Sequence, residues 1–408
     1  MLQQRIEAAS VPLVVDLDGS LIAGDIAMES LVEVARRDLR SFLTVLVLLL
    51  FARKARLKAF LARRDPVDPQ SLVYRDSVLD LIAQARGQGR PVVLASAAHQ
   101  SNVMRVARHL GLFDAAYGST ARRNLRGSQK LRAIREEFEN QPFDYVGDSR
   151  ADLPLWAEAR EAYTLGREPA RGGAIRLHRG KGAARAIVKA VRPHQWAKNA
   201  LVFVPLATSG AMLDMGGWTA AAIAFACLCV IASSVYLLND VLDVRSDRRH
   251  PTKRNRPIAA GDLGIPAALA LSVALAIAGL AAAAALLGPL ALLAIATYFA
   301  LTLAYSLRIK SAMIADVLTL AALYTIRLIV GAAAIGVMPS MWLLIFSTFF
   351  FLSLGYLKRY VELNGSPLDP QRLLSGRGYT GADCEIVRMS GLAAGMVSVL
   401  VILLFAAE

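Results

Sequence analysis

SSVYLLNDVLDVRSDRRHPTKRNRPIAAG, residues 233–261, follows without a break from an apolar run that begins near Trp218. Read as one continuous helix, it carries Asp240, Asp243 and Asp247 at i, i+3 and i+7, which lines three carboxylates along one face. Like charges on one stripe repel, and carboxylates at the edge of a bilayer are costly. The stripe makes sense when a divalent cation sits among the acids and bridges to a phosphate or diphosphate, with Asn239 adding a neutral oxygen or a donor on the same rim. His250, Lys253, Arg254 and Arg256 follow directly, and Pro257 and Gly261 mark the end of the loop. Arginine grips phosphate through two parallel hydrogen bonds and lysine acts as a point charge, so acids and an anion site adjoin. The basic residues taken singly also suit an ordinary positive-inside loop.

Apolar segments near 199–213, 218–238, 266–286, 289–307, 313–335, 341–357 and 387–407 extend this reading to about seven spans of a multi-pass membrane bundle. The loops at 209–217, 286–290 and 336–340 contain no Lys or Arg, whereas those at 239–262, 308–312 and 358–388 are rich in them. The positive-inside rule puts the basic loops in the cytoplasm, which predicts an inner (cytoplasmic) membrane protein with its chemistry on that side. A hydrophobic content of 55% and a mean hydropathy of +0.45 agree with a membrane protein. The formal charge of +14 resides at membrane loops without an RNA- or DNA-binding motif, which argues against nucleic acid. Cys227, Cys229 and Cys384 offer neither a disulfide framework nor C-x-x-C spacing and read as packing residues.

Residues 1–165 differ in kind. PLVVDLDG, PVVLASAA and FDYVGDS are β-branched runs separated by helical stretches, as in a parallel α/β sheet, and each ends in small or acidic residues where such sheets bind ligands. Asp16 and Asp18 follow the first strand, and the turn at Gly19 lets the second carboxylate reach over the first, so one can attack phosphorus while the other moves protons. Ser96 and Lys130 suit phosphoryl oxygens, and Asp148 and Asp152 suit a hard cation such as Mg2+. FLTVLVLLLF (42–51) is too short to span hydrocarbon and reads as a cap or membrane-surface helix. No basic segment leads into an apolar core at the N-terminus, so no secretory signal is expected. Residues 166–194, rich in Gly and Arg, read as a linker and a basic juxtamembrane helix.

The ordered set of four motifs over residues 10–165 resembles the haloacid dehalogenase (HAD) superfamily of phosphatases. That resemblance implies an α/β Rossmannoid domain with a helical cap at about 22–72. It makes Asp16 the nucleophile, Asp18 the general acid/base, Ser96 and Lys130 phosphate ligands, and Asp148 a Mg2+ ligand, with Asp152 supporting the metal. Asp16 and Asp18 are expected to face the same ion.

NDVLDVRSD resembles the first aspartate-rich motif, NDxxDxxxD, of the UbiA superfamily of intramembrane prenyltransferases. RPHQWAKN (192–199), AYSLRIKSAMIADVLTLAALYTIRLIVGA (304–332) and LGYLKRYVEL (354–363) look like signatures of its decaprenyl-phosphate phosphoribosyltransferase branch. The resemblance implies an all-α transmembrane domain over 195–408, usually of nine spans, with Asp240, Asp243 and Asp247 holding Mg2+. Aromatic prenyltransferases of the superfamily carry a second DxxxD motif, and only Asp316 stands in that position. One acidic stripe beside many cations fits phosphoribosyl pyrophosphate as the donor and polyprenyl phosphate as the acceptor. Lys198, Lys253, Arg254, Arg256, Tyr305, Lys310, Arg327, Lys358 and Arg359 are the candidate substrate-binding residues. The HAD domain would then remove the 5-phosphate to leave polyprenyl-phosphoryl ribose. The competing readings are an aromatic (4-hydroxybenzoate-type) prenyltransferase with an attached phosphatase, and a phosphatase on a non-catalytic membrane anchor.

Overall fold

The computed structural model describes residues 11–37, 39–51, 54–165, 174–177, 182–210, 212–365 and 378–408. Residues 166–173 and 178–181 of the expected linker, and 366–377 of the last expected basic loop, lie outside these. The chain forms two compact units: residues up to Ala190 together with Asp240–Leu269, and Val191–Asn239 together with Ala270–Glu408. The segment that opens the sequence reading is therefore shared, because Asp240 and everything after it to Leu269 belong to the first unit.

The first unit is built on six parallel strands in the order β3-β2-β1-β4-β5-β6. They are β1 (Leu13–Val15), β2 (Val92–His99), β3 (Ala115–Ser119), β4 (Asp144–Gly147), β5 (Ala162–Thr164) and β6 (Ile175–Arg176). A sheet covered on both faces needs continuous apolar strands, and Leu13, Val14 and Val15 are fully buried between two clusters of core side chains. β1 pairs with β2 on one side and β4 on the other, so the three predicted strands are neighbours and their C-terminal ends converge. The register Val15–Leu94 and Val15–Val146 brings Asp16, Ser96 and Asp148 to the same edge. Ile26–Arg37, Leu39–Leu50 and Lys54–Arg64 form the helical cap around Val34, Val45, Leu57 and Leu61. The apolar run 42–51 falls mainly in the second of these helices, and Leu43, Leu46, Val47 and Phe51 remain exposed.

Among the described residues six helices are long and apolar enough to cross a membrane: Met215–Leu242, Ile265–Leu286, Pro289–Leu307, Ala315–Ile335, Met341–Asn364 and Gly381–Ala407. The count of seven is corrected to six. The first apolar segment, 199–213, forms tight 3-10 turns over Pro193–Phe203 and then a helix of only five residues, Val204–Thr208. Pro205 lies in its first turn and Gly210 follows with a φ of +75°, so the run cannot propagate. Gly331 on the Ala315–Ile335 helix lies where an added Cβ would meet the carbonyl of Val202, so this broken segment packs tightly against that helix. A second correction concerns continuity at the acidic stripe. The helix ends at Leu242, Asp243 sits in a break with φ −99° and ψ 8°, and a short helix resumes over Val244–Arg249. The break is shallow, because the Asp247 amide still donates to the Asp243 carbonyl at 2.8 Å.

Candidate active sites

At the end of β1 the chain turns sharply through Gly19, whose φ is +76°. Glycine is needed there twice over: the conformation disfavours a side chain, and a Cβ would land on the Asp148 carboxylate. Asp16, Asp148 and Asp152 each offer an oxygen, all within 4.8 Å of one another. Lys130, 2% exposed, reaches into this group from the Ser128–Glu137 helix. Its Nζ donates to Asp16 Oδ1 at 2.8 Å, to the Tyr145 hydroxyl at 2.9 Å and to Asp152 Oδ1 at 3.4 Å. Tyr145 in turn donates to Asp152 Oδ1 at 2.7 Å, while the Ser149 amide and hydroxyl hold Oδ2.

Asp18 takes a different place from the one expected for a metal ligand. It stands outside the Asp16–Asp148–Asp152 group, and its Oδ1 accepts the Ile26 amide at 2.9 Å, at the first residue of the first cap helix. Burial, reinforced by the Asp25 charge, pushes the Asp18 carboxyl well above the usual range, which suits a proton donor. Burial also raises Asp16 to about 6, against the pull of Lys130, and raises Asp148 to about 7 with help from Asp16 and Asp152. Burial works the same way on Asp152, but Lys130, Tyr145 and Ser149 outweigh it and leave this carboxyl below the ordinary value. Burial depresses Lys130 less than Asp16 and Asp152 raise it, so the ammonium is kept charged. Ser96 is fully buried, and its hydroxyl accepts the Ala98 amide at 3.0 Å.

Asp240, in the last turn of the first long span, and Asp247, in the short helix after it, share one guanidinium. Arg256 Nη1 lies 3.2 Å from Asp240 Oδ1 and 2.6 Å from Asp247 Oδ2. Arg256, expected as a phosphate ligand, is thus engaged with the acidic stripe itself. Burial raises the Asp247 carboxyl despite Arg256 beside it. Asp243 lies half-buried at the break, and the buried Oδ1 of Asn239 has no hydrogen-bond partner. Among the described residues the oxygens that gather within 4.8 Å of one another are those of Asp16, Asp148 and Asp152, so Asp240, Asp243 and Asp247, expected to hold one ion, do not come together as such a group here, where Arg256 bridges two of them. Lys253 and Arg254 are exposed on the loop after the short helix.

The second unit holds two further polar clusters. Arg359, fully buried, donates to Asp316 Oδ2 at 2.5 Å and Oδ1 at 3.1 Å and to Glu362 Oε2 at 2.5 Å. Tyr305 donates to Asp316 Oδ1 at 2.7 Å. Arg327, also buried, donates to Asn199 Oδ1 at 2.9 Å, to the Tyr298 hydroxyl at 3.0 Å and to the Leu323 carbonyl. Partial desolvation lowers the Lys198 ammonium, and the charges of Lys358, Arg327 and Arg192 lower it further, so these four cations form a neighbourhood. Lys310 is half-buried and Lys358 exposed.

A family model described as UbiA prenyltransferase family matches residues 202–364, and one described as haloacid dehalogenase-like hydrolase matches 13–157. The protein y4nM of Sinorhizobium fredii is 36% identical over 406 residues, which cover 97% of this chain and 78% of that protein. The chain belongs to the UbiA prenyltransferase family. It joins that membrane domain to a HAD-like hydrolase domain. A decaprenyl-phosphate phosphoribosyltransferase of Mycolicibacterium smegmatis is 40% identical over 188 residues, covering 45% of this chain and 58% of that enzyme. A UbiA homolog from Archaeoglobus fulgidus solved with GPP and Mg2+ is similar with a TM-score of 0.44 at 15% identity, over 53% of this chain and 76% of that one.

Sequence reading of this UbiA family chain passed over several residues that the structure brings to the sites. Tyr145, which links Lys130 to Asp152, lies inside the quoted FDYVGDS and carries its signal there. Asn199 closes RPHQWAKN and meets Arg327. Lys58 arrives from the cap, donating to the Ala97 carbonyl at 2.5 Å and to Asn124 Oδ1 at 3.2 Å, near enough to Asp18 and Asp25 for both to act on its charge. Nothing in the sequence marks Lys58, because a lysine on an amphipathic helix reads as a solvated residue.

Proposed function

We propose that this protein transfers phosphoribose from phosphoribosyl pyrophosphate to polyprenyl (decaprenyl) phosphate, and that its HAD domain removes the 5-phosphate to give polyprenyl-phosphoryl ribose. The observation that carries the first step is the unequal fate of the acids. Asp240 and Asp247 share Arg256, whereas Asp316, the single acid where aromatic prenyltransferases carry a second acidic motif, is held by Arg359 and Tyr305. A chain that carries one acidic stripe and, in its second unit, the cations Lys198, Lys358, Arg327 and Arg192 suits a donor diphosphate with two further phosphates better than an aromatic acceptor. The relatives named decaprenyl-phosphate phosphoribosyltransferase support the same substrates. The basic loops support an inner-membrane location with both sites facing the cytoplasm.

Asp240, Asp243 and Asp247 with Asn239, and Asp16, Asp148 and Asp152 in the HAD domain, would hold Mg2+, which when bound would supply positive charge against phosphate and diphosphate oxygens. The chain's own groups do the rest. Lys253 and Arg254 draw the soluble donor to the rim, and Lys198 and Lys358 take the lipid phosphate. That phosphate is already anionic near neutral pH and needs no strong base to attack the sugar C1, whose bond to the diphosphate oxygen breaks as diphosphate leaves. In the second step Asp16 attacks phosphorus while Asp18 gives its proton to the leaving sugar oxygen. Asp18 then takes a proton from the water that opens the acyl-phosphate, returning Asp16. Lys130 and Ser96 hold phosphoryl oxygens throughout.

The test is mass spectrometry of lipids after incubating the full chain with decaprenyl phosphate and labelled phosphoribosyl pyrophosphate. Wild type is expected to yield decaprenyl-phosphoryl ribose, Asp16→Asn to stop at the 5-phosphorylated lipid, and Asp240→Asn with Asp247→Asn to yield neither. Transfer of label by the double variant at the wild-type rate refutes the proposal.

A further inference from the structure

Three arginines on the short Val244–Arg249 helix reach the HAD cap. Arg245 Nη1 and Nη2 donate to Asp65 at 3.0 and 2.6 Å, and Arg249 Nη2 donates to Asp68 at 2.9 Å. Arg248 makes the buried member of the set. Its Nη1 and Nη2 grip the two oxygens of Glu29 at 2.9 and 2.8 Å and its Nε donates to the Ala259 carbonyl at 3.1 Å, with Arg248 and Glu29 side chains only 5% and 3% exposed. The backbone closes in around them. A Cβ on Gly24 would meet Glu29 Oε1 and Arg248 Nη2, and one on Gly261 would fall on the Ala23 carbonyl.

Glu29 lies one turn along the helix whose first amide, that of Ile26, holds Asp18. Gly24 is tied by its carbonyl to the Gly19 amide at 3.0 Å, and Gly19 is the residue that makes room for Asp148. The position of this helix start therefore sets where the Asp18 carboxylate points, and Arg248 sets the position of the helix start. We infer that Arg248, a residue of the UbiA-family segment, is a positioning residue for phosphoryl hydrolysis in the HAD domain, acting through Glu29 and the Ile26–Arg37 helix on Asp18. The inference rests on the phosphatase reading given above. Loss of the guanidinium leaves a buried carboxylate without its partner, and that group returns to balance by drawing its helix toward water or by taking up a proton. Either response loosens Asp18, which handles protons, and leaves the groups that bind phosphate untouched.

The experiment measures kcat and KM for hydrolysis of p-nitrophenyl phosphate by the full chain in detergent with Mg2+. Arg248→Gln is expected to lower kcat by about tenfold or more with KM within about twofold, since misplacing a proton-transfer group costs turnover rather than binding. Arg248→Lys keeps the charge but not the two-point grip, so its kcat falls between the two. Arg249→Gln, on an exposed pair, behaves as wild type. A wild-type kcat in Arg248→Gln overturns the inference, as does a loss confined to KM. Where Arg248→Gln fails to fold, Arg248→Lys decides alone, and an unchanged kcat there overturns it. Asp16→Asn separates the two claims: hydrolysis that survives that change means the phosphatase reading has failed, whereas an inert Asp16→Asn beside a normal Arg248→Gln means only the positioning role has.

Discussion

Replacing Lys130 by methionine keeps the apolar stem and removes the ammonium that separates Asp16 from Asp152. All three groups are buried, with side-chain exposures of 3% for the lysine and 10% and 3% for its partners. Removing one member of a buried ionic group costs about 3–5 kcal/mol, because the remaining charges stay without compensation. For a domain of this size 1 kcal/mol moves the melting temperature by about 2–4 °C, so the expected drop is roughly 6–20 °C. The assay is thermal unfolding of the full chain in detergent and EDTA, followed by proteolysis and quantification of peptides from residues 11–165. The sign with pH is fixed by Asp16, whose carboxyl is raised to about 6 even with Lys130 present. Below that value the protonated acid needs no cation, so the deficit at pH 5.5 is smaller than at pH 8. A drop of less than about 2 °C at pH 8 would refute the view that this ammonium neutralises the acidic group.

Gly19→Ala places a methyl group on the Asp148 carboxylate in a left-handed backbone conformation, so phosphatase turnover is expected to fall by at least about a hundredfold, read against p-nitrophenyl phosphate. Thermal stabilisation by Mg2+ is expected to be larger at pH 8 than at pH 5.5, because Asp16 and Asp148, raised to about 6 and about 7, must lose protons to bind it; equal increments at both pH values contradict the ligand set. Arg359→Gln strands the buried Asp316 and is expected to lower the melting temperature of the second unit, while Arg359→Gln with Asp316→Asn recovers part of the loss. No recovery in the double variant means that the pair is not the source of the cost.

The residues that chemistry needs at strand ends were legible because burial on both faces forces a recognisable apolar run, and the acid after each run has no structural reason to be there. LVVD and YVGD show this directly. The cap was legible as an insertion at about 22–72 through the family resemblance, and only its apolar run 42–51 was legible as helix from the residues themselves. The first apolar segment was counted as a span although it is short and interrupted by Pro205, because mean hydropathy does not register the 3-10 winding that Pro193 begins. Arg256, Arg327 and Arg359 read as phosphate ligands, since a sequence gives the sign of a charge and not its neighbour; the structure pairs each with groups of the chain itself. Least legible was the link between Arg245, Arg248, Arg249 and the cap, whose partners lie 180, 219 and 181 residues away.

That link also bears on the acidic rim. Arg245, Arg248 and Arg249 stand at i, i+3 and i+4, one face of a helix of six residues, while Asp247 turns to Arg256. A helix so short does not hold itself together in water, so the partners of its side chains decide its position. Its basic face is held by Glu29, Asp65 and Asp68 of the HAD domain, and its acidic face contributes to the stripe read as the diphosphate site. Glu29→Gln, which weakens only the buried member of the basic face, should therefore slow formation of the lipid product although it lies more than two hundred residues from Asp240 in the chain. Loss of a buried charge-assisted pair of this kind, of order 3 kcal/mol at full strength, is enough to shift the rim for most molecules if even half reaches the helix. The measurement is product per folded protein, compared with Asp68→Asn as the exposed counterpart. Product formation by Glu29→Gln equal to that of wild type and of Asp68→Asn would leave the acidic stripe independent of the cap, and the two catalytic regions would share a chain without sharing a structural part.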